Sequence, residues 1–465
     1  MSAPEPERYR LLVVGGGKGG KTLAMDRARA GWRVAMVERT PEMIGGTCIN
    51  LACIPTKTLI RSAEVAELVR RAGELGVDAR LEEVRAAALR ERTQSVVRAM
   101  REMNLEQFTA SGMDLVMGHA RFVAPRRVEV ATGAGTRVVE AEHVVINLGT
   151  TPALPDIPGL ADARPLTSET LLDLERIPPR LVVIGGGYVG LELAQAMHRF
   201  GSRVTVVERG PQLLAREDQD VAATVAEILR DDGIEILLGA RARAVERRAD
   251  GTVHIDLETE GGARQVVADD LLAATGRRPN TDGAGLDAAG VALDDRGFVR
   301  VDDHLLTTAP RTFAVGDVTG GPQFTHVSLD DYRVVKAGLD GGGRSTAGRL
   351  VPYVVFIDPE LGRIGLTERE ARRRGHDVRI AKLPARAVPR TRTLGATRGL
   401  LKAVVERDSD RILGAAVLSV HGGEVIAAIQ MAMLGGLTSA TVRNAVLAHP
   451  TMAEGLNQLF ASWVD

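Results

Sequence analysis

Gly45-Gly46-Thr47-Cys48-Ile49-Asn50-Leu51-Ala52-Cys53-Ile54-Pro55-Thr56-Lys57 holds both cysteines of a 465-residue chain. Two thiols five positions apart are either a redox pair or two unrelated buried side chains. In a regular α-helix such positions are offset along the axis by roughly 7.5 Å, more than the about 4.4–6.8 Å between the Cα atoms of most disulfides. A bridge across this spacing needs a distorted helical turn. The flanks permit one, because Gly45 and Gly46 open unusual backbone angles and Pro55 restricts Ile54 and withholds an N–H. Two thiols in so long a chain make no disulfide framework; they suit a catalytic or redox-sensing pair in a reducing compartment.

Upstream, the apolar run Leu11-Leu12-Val13-Val14 enters Gly15-Gly16-Gly17-Lys18-Gly19-Gly20, followed by an Ala-rich segment of helical spacing and a second apolar run ending at Glu38. That is a βαβ pattern carrying two overlapping phosphate-binding signatures. Gly15-x-Gly17-x-x-Gly20 fits the dinucleotide fingerprint, and Gly15-x-x-x-x-Gly20-Lys21-Thr22 fits the phosphate loop of an NTPase. Either turns backbone N–H groups at a helix N-terminus towards phosphates. Glu38 favours the dinucleotide, since a carboxylate at the end of the second strand accepts from ribose hydroxyls. Lys18 and Lys21 are then expected in solvent or near the pyrophosphate. The pattern returns at Leu181-Val182-Val183-Ile184-Gly185-Gly186-Gly187-Tyr188-Val189-Gly190, answered by Glu208. The chain therefore carries two dinucleotide sites. Glu208 favours the 2′-hydroxyl of NADH and repels a 2′-phosphate, while the neighbouring Arg209 softens that preference and keeps NADPH as the alternative.

The remainder is less specific. Arg61 to about Met113 has apolar residues at helical intervals, segments near Arg121–Val130 and Arg137–Ile146 alternate like strands, and Gly338–Gly348 reads as a linker. With 45% hydrophobic and 26% charged residues and a net charge of −1, the composition gives no bulk attraction to nucleic acid or anionic membrane. The first ten residues lack the apolar core of a signal peptide, and no apolar run of about 18 residues follows. The expectation is a cytoplasmic protein with no nucleic-acid or membrane partner.

The cysteine stretch resembles the redox-active helix of the FAD-dependent class I pyridine nucleotide-disulfide oxidoreductases, G-G-T-C-x-N-x-G-C-x-P-[ST]-K, with Ala52 at the usual Gly. Val144–Pro152 with Pro155–Gly159, Leu271–Asn280, Arg311–Asp317 and Gln323–His326 resemble further motifs of that family, and His449-Pro450-Thr451-Met452-Ala453-Glu454 matches its H-P-T-x-x-E. The resemblance implies an α/β fold of two Rossmann-like dinucleotide-binding domains, for FAD and NAD(P), and a C-terminal α+β dimerisation domain. Its boundaries would be 1–152 for FAD and the disulfide, 153–277 for NAD(P), 278–345 for the return to the FAD domain, and 346–465 for dimerisation. It implies FAD with NADH, or NADPH, and a homodimer that shares its active sites.

By the same resemblance, Cys53 is the thiol nearest the flavin and Cys48 the outer interchange thiol. His449, oriented by Glu454, serves the partner subunit's disulfide, and Lys57 pairs with Glu192 beside the flavin. The FAD-binding set is Gly15, Gly17, Gly20, Glu38, Gly46, Thr47, Lys57, Gly149, Asp317 and Thr325. The nicotinamide set is Gly185, Gly187, Gly190, Glu208, Gly276 and Tyr188, the last shielding the flavin until nicotinamide enters. No structural metal is implied, but reduced Cys48 and Cys53 are soft ligands for a metal substrate. The motifs Gly20-Lys21-Thr22-Leu23-Ala24 and Val351-Pro352-Tyr353 look most like the mercuric-reductase-like branch that includes a copper(II) reductase of reactive-chlorine resistance. The expected acceptor is a metal ion such as Cu(II) or an oxidant-defence substrate. Efficient Hg(II) detoxification is not expected, because the C-terminal cysteines of mercuric reductases are missing. Dihydrolipoamide dehydrogenase is the competing reading, although Leu447 stands where that enzyme commonly has His. A non-catalytic flavin redox sensor is the reading from another class.

Overall fold

A computed structural model describes residues 5–464. The apolar runs form the expected βαβ start, β1 (Glu7–Val14), α1 (Lys18–Arg29) and β2 (Val34–Glu38). The cysteine stretch supplies the one-turn α2 (Thr47–Asn50) and the long α3 (Cys53–Arg71), and α4 (Ala86–Ser111) follows. Next come β3 (Asp114–Met117), β4 (His119–Ala124), β5 (Arg127–Thr132), β6 (Gly135–Ile146) and β7 (Thr150–Pro152). The second fingerprint joins β8 (Arg180–Ile184), α5 (Tyr188–Arg199) and β9 (Arg203–Val207). It continues through α6 (Gln219–Asp231), β10 (Glu235–Leu237), β11 (Arg241–Arg247), β12 (Val253–Thr259), β13 (Gly262–Ala268) and β14 (Asp270–Ala273). After β15 (Arg277–Pro279), β16 (Thr312–Ala314) and α7 (Thr325–Leu339), the Gly-rich segment leads to β17 (Tyr353–Val355), β18 (Glu360–Gly365) and α8 (Glu368–Arg373). The chain closes with β19 (Val378–Pro384), α9 (Pro389–Thr393), β20 (Leu400–Glu406), β21 (Ile412–Ser419), α10 (Gly422–Leu434), α11 (Ser439–Asn444), α12 (Gly455–Leu459) and β22 (Trp463–Val464).

These elements make two compact units. The first takes the chain up to Thr58 together with Glu91–Ala153 and Gly276–Arg349; the second holds Leu59–Arg90, Leu154–Thr275 and the chain from Leu350 onward.

In the first unit the strand order is β3-β2-β1-β6-β5-β4, with β16 also beside β6. The second half of β1, Leu11–Val14, is continuously apolar because it is covered on both faces: Leu11, Leu12 and Val13 are fully buried, as expected of a central parallel strand. Leu23 and Ala24 of α1, Phe108 of α4 and Val334 and Val335 of α7 pack on one side of it. Val14 is in register with Val37 and Ile146, and Ala314 with Ile146. Four parallel strands thus end level, and their carboxyl ends deliver Gly15, Glu38, Asn147 and Gly316 to one crevice.

The second unit repeats the arrangement in a parallel sheet ordered β10-β9-β8-β14, with Ile184 in register with Val207 and Ala273. The apolar face of α6, Val221, Ala222, Val225, Ala226, Ile228 and Leu229, follows helical spacing and packs with α5. This unit also contains the antiparallel meander β11-β12-β13 and a six-stranded antiparallel sheet, β17-β18-β21-β20-β19-β22.

Candidate functional site

The cysteine stretch does not run as one helix. α2 ends at Asn50, Leu51 leaves helical geometry (φ −134°, ψ −9°), and α3 begins at Cys53. Leu51 and Ala52 both donate to the Thr47 carbonyl, at 2.8 and 2.9 Å, which is the distorted turn that the five-residue spacing calls for. Pro55 lies in the first turn of α3, where a helix loses no internal bond to its missing N–H. Ala52 stays out of the left-handed region, so the family's usual Gly is not required for its backbone angles. Both thiols are half-buried. A hydrogen bond with Cys53, then burial, pushes the Cys48 thiol up, while Thr325 and the charge of Lys21 pull it down. Cys53 Sγ lies 3.6 Å from Thr325 Oγ1, at the first residue of the 15-residue α7, where a helix dipole favours negative sulfur.

A polar frame holds this loop. Asn50 donates through Nδ2 to the carbonyls of Ile44 and Gly46, each at 2.9 Å, and accepts from Arg101 Nε at 3.1 Å. Lys21 departs from the solvent half of the sequence-based expectation. It is 5% exposed, and its Nζ donates to the Gly45 carbonyl at 3.1 Å and to Asn104 Oδ1 at 2.6 Å. Burial, then repulsion by Lys18, lowers its pKa to about 8, against an attraction from Cys48. These hydrogen bonds tie the start of α1 to the cysteine loop and to α4.

The first glycine loop fits a dinucleotide. Gly15 has φ +104°, and a Cβ there would fall 2.3 Å from the Asn147 carbonyl oxygen, so no side chain is tolerated. A Cβ on Gly46 would fall 2.6 Å from Gly17 Cα, which brings the redox loop against the nucleotide loop. α1 starts at Gly17 with no side-chain cap, leaving its N-terminus to a ligand. Glu38 accepts from the Gly16 N–H at 2.8 Å, and carboxylate lone pairs remain for ribose hydroxyls. Burial raises the Glu38 pKa against backbone donors from Arg39 and Gly16. Asp317 accepts from Thr150 Oγ1 at 3.1 Å, and Arg277 donates to Thr150 Oγ1 and its carbonyl, each at 2.8 Å. Burial raises Asp317 too, with Arg277 opposing. Gly149 (φ +67°) and Gly276 (φ +138°) flank this crossing, and Thr47 opens α2. The buried carboxylates, the glycine cradle and the uncapped helix suit FAD.

The second loop is built alike. Gly185 has φ +116°, and a Cβ there would fall 2.5 Å from the Ala274 carbonyl oxygen; one on Gly190 would fall 2.2 Å from the Gly185 oxygen. Glu208 accepts from the Gly186 N–H at 2.8 Å and from the Gly210 N–H at 2.7 Å. Beside it lies a cavity of about 670 Å³ lined by Arg209, Arg241, Arg243, Glu258 and Glu260, and Arg243 is paired with Glu258. The Tyr188 ring packs on Tyr353, with centroids 5.3 Å apart. Tyr353 in turn donates to Glu217, which lies fully buried 2.8 Å from Arg363. Glu192, 3% exposed, accepts from the Phe356 N–H at 2.9 Å. Lys57 belongs to the first unit and Glu192 to the second.

His449 Nδ1 is 2.8 Å from Glu454 Oε2, with the His side chain 68% exposed and the Glu 13%. Asn457 Nδ2 donates to the carbonyls of Val442, Arg443 and Ala445 and so fixes the segment before His449. Exposed Met431, Leu434, Leu437 and Val446 belong to the same C-terminal region. Among the described residues no group of three or more His, Cys, Asp or Glu is placed to hold a metal, and no helix is long and apolar enough to cross a membrane.

Asn104, Asn147 as a lock on the glycine loop, Glu217 and Arg363 were not singled out from the sequence. Each lies far along the chain from its partner, and no local spacing signals such contacts.

Residues 9–331 match the family described as pyridine nucleotide-disulphide oxidoreductase, and residues 351–460 match its dimerisation domain. The chain is 40% identical over 458 residues to the probable pyridine nucleotide-disulfide oxidoreductase RclA of Escherichia coli K12, covering 98% of this chain and 99% of that protein. It is 36% identical to a mercuric reductase of Lysinibacillus sphaericus, over 97% of this chain and 82% of that one. It is also 36% identical to a dihydrolipoyl dehydrogenase of Thermus scotoductus, over 96% of each. The solved Cu(II) complex of the HOCl-induced flavoprotein disulfide reductase RclA from E. coli matches with a TM-score of 0.89 at 39% identity, covering 98% of this chain and 99% of that one.

Proposed function

Since this chain belongs to the pyridine nucleotide-disulphide oxidoreductase family and is an RclA-like flavoprotein disulfide reductase, we propose that Cys48 and Cys53 pass its electrons to Cu(II). The observation that carries this reading is the pair of half-buried cysteines, Cys48 and Cys53, in a chain alike end to end with a reductase solved as a Cu(II) complex.

The family uses FAD and a pyridine nucleotide. When bound, FAD supplies a two-electron carrier between nicotinamide hydride and the disulfide. Gly15, Gly17, Gly20, Gly46, Thr47, Gly149 and Thr325 shape its cradle, Glu38 takes a ribose, and Asp317 takes hydroxyls near the crossing. Lys57 tunes its reactive edge. Gly185, Gly187, Gly190, Gly276 and Glu208 hold the nicotinamide cofactor, and Tyr188 covers the entry. Residues 1–152 and 278–345 form the flavin domain, 153–277 the nicotinamide domain and 346–465 the dimerisation domain.

Two electrons and two protons convert the Cys48–Cys53 disulfide to the dithiol. Soft sulfur ligands then hold the metal. Two Cu(II) ions leave as Cu(I), the disulfide re-forms and two protons are released. His449, oriented by Glu454, exchanges those protons at the outer thiol of the other subunit of a homodimer. Its exposed ring supports a role in a neighbouring copy. NADH is the preferred donor, because Glu208 faces the ribose position; the adjacent Arg209, Arg241 and Arg243 support use of NADPH as a second reading. Two thiols and no disulfide framework suit a cytoplasmic setting.

The test is anaerobic NADH oxidation by the flavin-loaded protein with Cu(II), dihydrolipoamide oxidation with NAD⁺, and NADH oxidation without acceptor. Fast Cu(II) turnover with no lipoamide activity is expected; fast lipoamide turnover would replace the metal reading with dihydrolipoamide dehydrogenase.

A further inference from the structure

Glu217 is 0% exposed and Arg363 3%, and the reading above uses neither. Glu217 Oε2 stands 2.8 Å from Arg363 Nε, and Arg363 also donates to the carbonyls of Ile364 and Ala415, which fixes it in the antiparallel sheet. A buried ion pair adds little net stability, because desolvation offsets the attraction. What it supplies here is direction. Tyr353 of β17 is in register with Arg363 of β18, so the two side chains share one face of the sheet. The Tyr353 hydroxyl donates to the other Glu217 oxygen, Oε1. One carboxylate thus holds both side chains, and Tyr353 presents its ring to that of Tyr188, with centroids 5.3 Å apart and planes inclined by 30°.

The segment that carries Glu217 also meets the second glycine loop. The Glu217 N–H donates to the Leu214 carbonyl at 2.8 Å, and the Leu214 N–H donates to the Gly186 carbonyl at 2.9 Å. Leu214 is 2% exposed and holds a φ of +48°, a region that a bulky side chain seldom occupies. Such a backbone persists only where its surroundings over-determine it. Leu213 packs on the same loop, since a Cβ on Gly186 would fall 2.6 Å from Leu213 Cδ2. The contacts close on themselves. They leave the loop at Gly186, run through Leu214, Glu217 and Tyr353, and return at Tyr188, the residue that opens α5. All of these residues lie in the second unit.

We propose that Glu217 is a positioning residue for the nicotinamide site: anchored by Arg363, it fixes Tyr353 as the seat of the Tyr188 ring and so sets how readily Tyr188 gives way to an incoming nicotinamide. Entry of the nicotinamide separates the two rings, and the firmer the seat, the weaker the binding. The inference rests on the reading of Tyr188 as the cover of that entry.

The experiment titrates NAD⁺ into the flavin-loaded protein by calorimetry. Wild type is compared with Tyr353→Leu, Glu217→Gln, Tyr188→Leu and the Tyr188→Leu, Tyr353→Leu double variant. Removing the seat in Tyr353→Leu should tighten NAD⁺ binding about two- to tenfold, the worth of an aromatic pair. Glu217→Gln loosens the seat without removing the ring and should give a smaller tightening in the same direction, while the uncompensated Arg363 lowers the urea midpoint. A residue that only supports the fold would weaken binding or leave it unchanged. Either result, with Tyr188→Leu itself altering binding, would overturn the proposal. In the Tyr188→Leu background Tyr353→Leu should have no further effect; an equal tightening there means that Tyr353 does not act through Tyr188, and the proposal falls. Should Tyr353→Leu or Glu217→Gln not fold, Tyr353→Phe keeps the ring, loses only the tie to Glu217 and is read by the same criterion. If Tyr188→Leu binds NAD⁺ as wild type does, the covering role of Tyr188 is removed, and this inference with it.

Discussion

At the first glycine loop Glu38 takes the Gly16 N–H, and at the second Glu208 takes the Gly186 N–H, both at 2.8 Å and both across 22 residues. The opening glycines, Gly15 and Gly185, share a left-handed backbone pressed against a carbonyl oxygen. What surrounds the loops differs. A Cβ on Gly17 would meet Asn147 Nδ2 at 2.8 Å, one on Gly19 would meet the Ser328 carbonyl oxygen at 2.6 Å, and Gly46 closes in from the cysteine stretch. Around the second loop, Gly187 is exposed with nothing within 4 Å of its would-be Cβ, and Val189 is 43% exposed. The same local device serves an enclosed cradle in one unit and an open one in the other. Enclosure suits a resident cofactor, and openness suits a ligand exchanged at every turnover.

The strongest test of the shared part is Gly15→Ala against Gly185→Ala. Left-handed strain and a Cβ forced into a backbone oxygen should together cost roughly 2–6 kcal/mol in each, read from urea midpoints. Tolerance at either site would break the equivalence of the loops. Next in size is Glu217→Ala, which strands buried Arg363 behind the Tyr353–Tyr188 pair and should cost about 3–5 kcal/mol. Asn147→Ala, which removes a neutral 3.0 Å bond to the Gly15 carbonyl, should cost about 1–3 kcal/mol in the same unfolding series.

Exchanging the acids sharpens the contrast further. Glu208→Gln should raise the ratio of NADPH to NADH efficiency about tenfold with little change in stability, a shift of about 1.4 kcal/mol. Glu38→Gln should lower flavin occupancy while leaving that ratio unchanged. Because burial raises the Glu38 pKa, the carboxyl helps the fold most below its unfolded range and loses that help as pH rises through the raised value. The stability difference between wild type and Glu38→Gln should therefore move against wild type with increasing pH in denaturant titrations. Smallest of all, Gly187→Ala should change stability by under about 0.5 kcal/mol, yet raise KM for the nicotinamide several-fold by holding the pyrophosphate off the backbone. Gly17→Ala, its counterpart in the enclosed loop, should lose flavin.

Much of this was legible before any coordinates. The two fingerprints, the acid that answers each, the cysteine pair and the His449–Glu454 spacing are short patterns whose chemistry depends on neighbours along the chain. Lys21 shows where such reading stops. Its position fits two phosphate loops, while its side chain lies buried and donates to Gly45 and Asn104 from two other segments. Tyr353 was visible only as part of a branch motif, and its tie to Glu217 spans 136 residues.

Sequence alone determined where glycine is obligatory, which carboxylate ends each second strand, and that the two thiols required a broken helix, since backbone sterics and residue spacing are local. Tertiary structure decided which cradle is enclosed and which open, where the Lys21 side chain is buried, and what stands behind Tyr188. Those outcomes depend on segments remote in sequence meeting in the fold, where burial, and not spacing, sets the cost of every unpaired group.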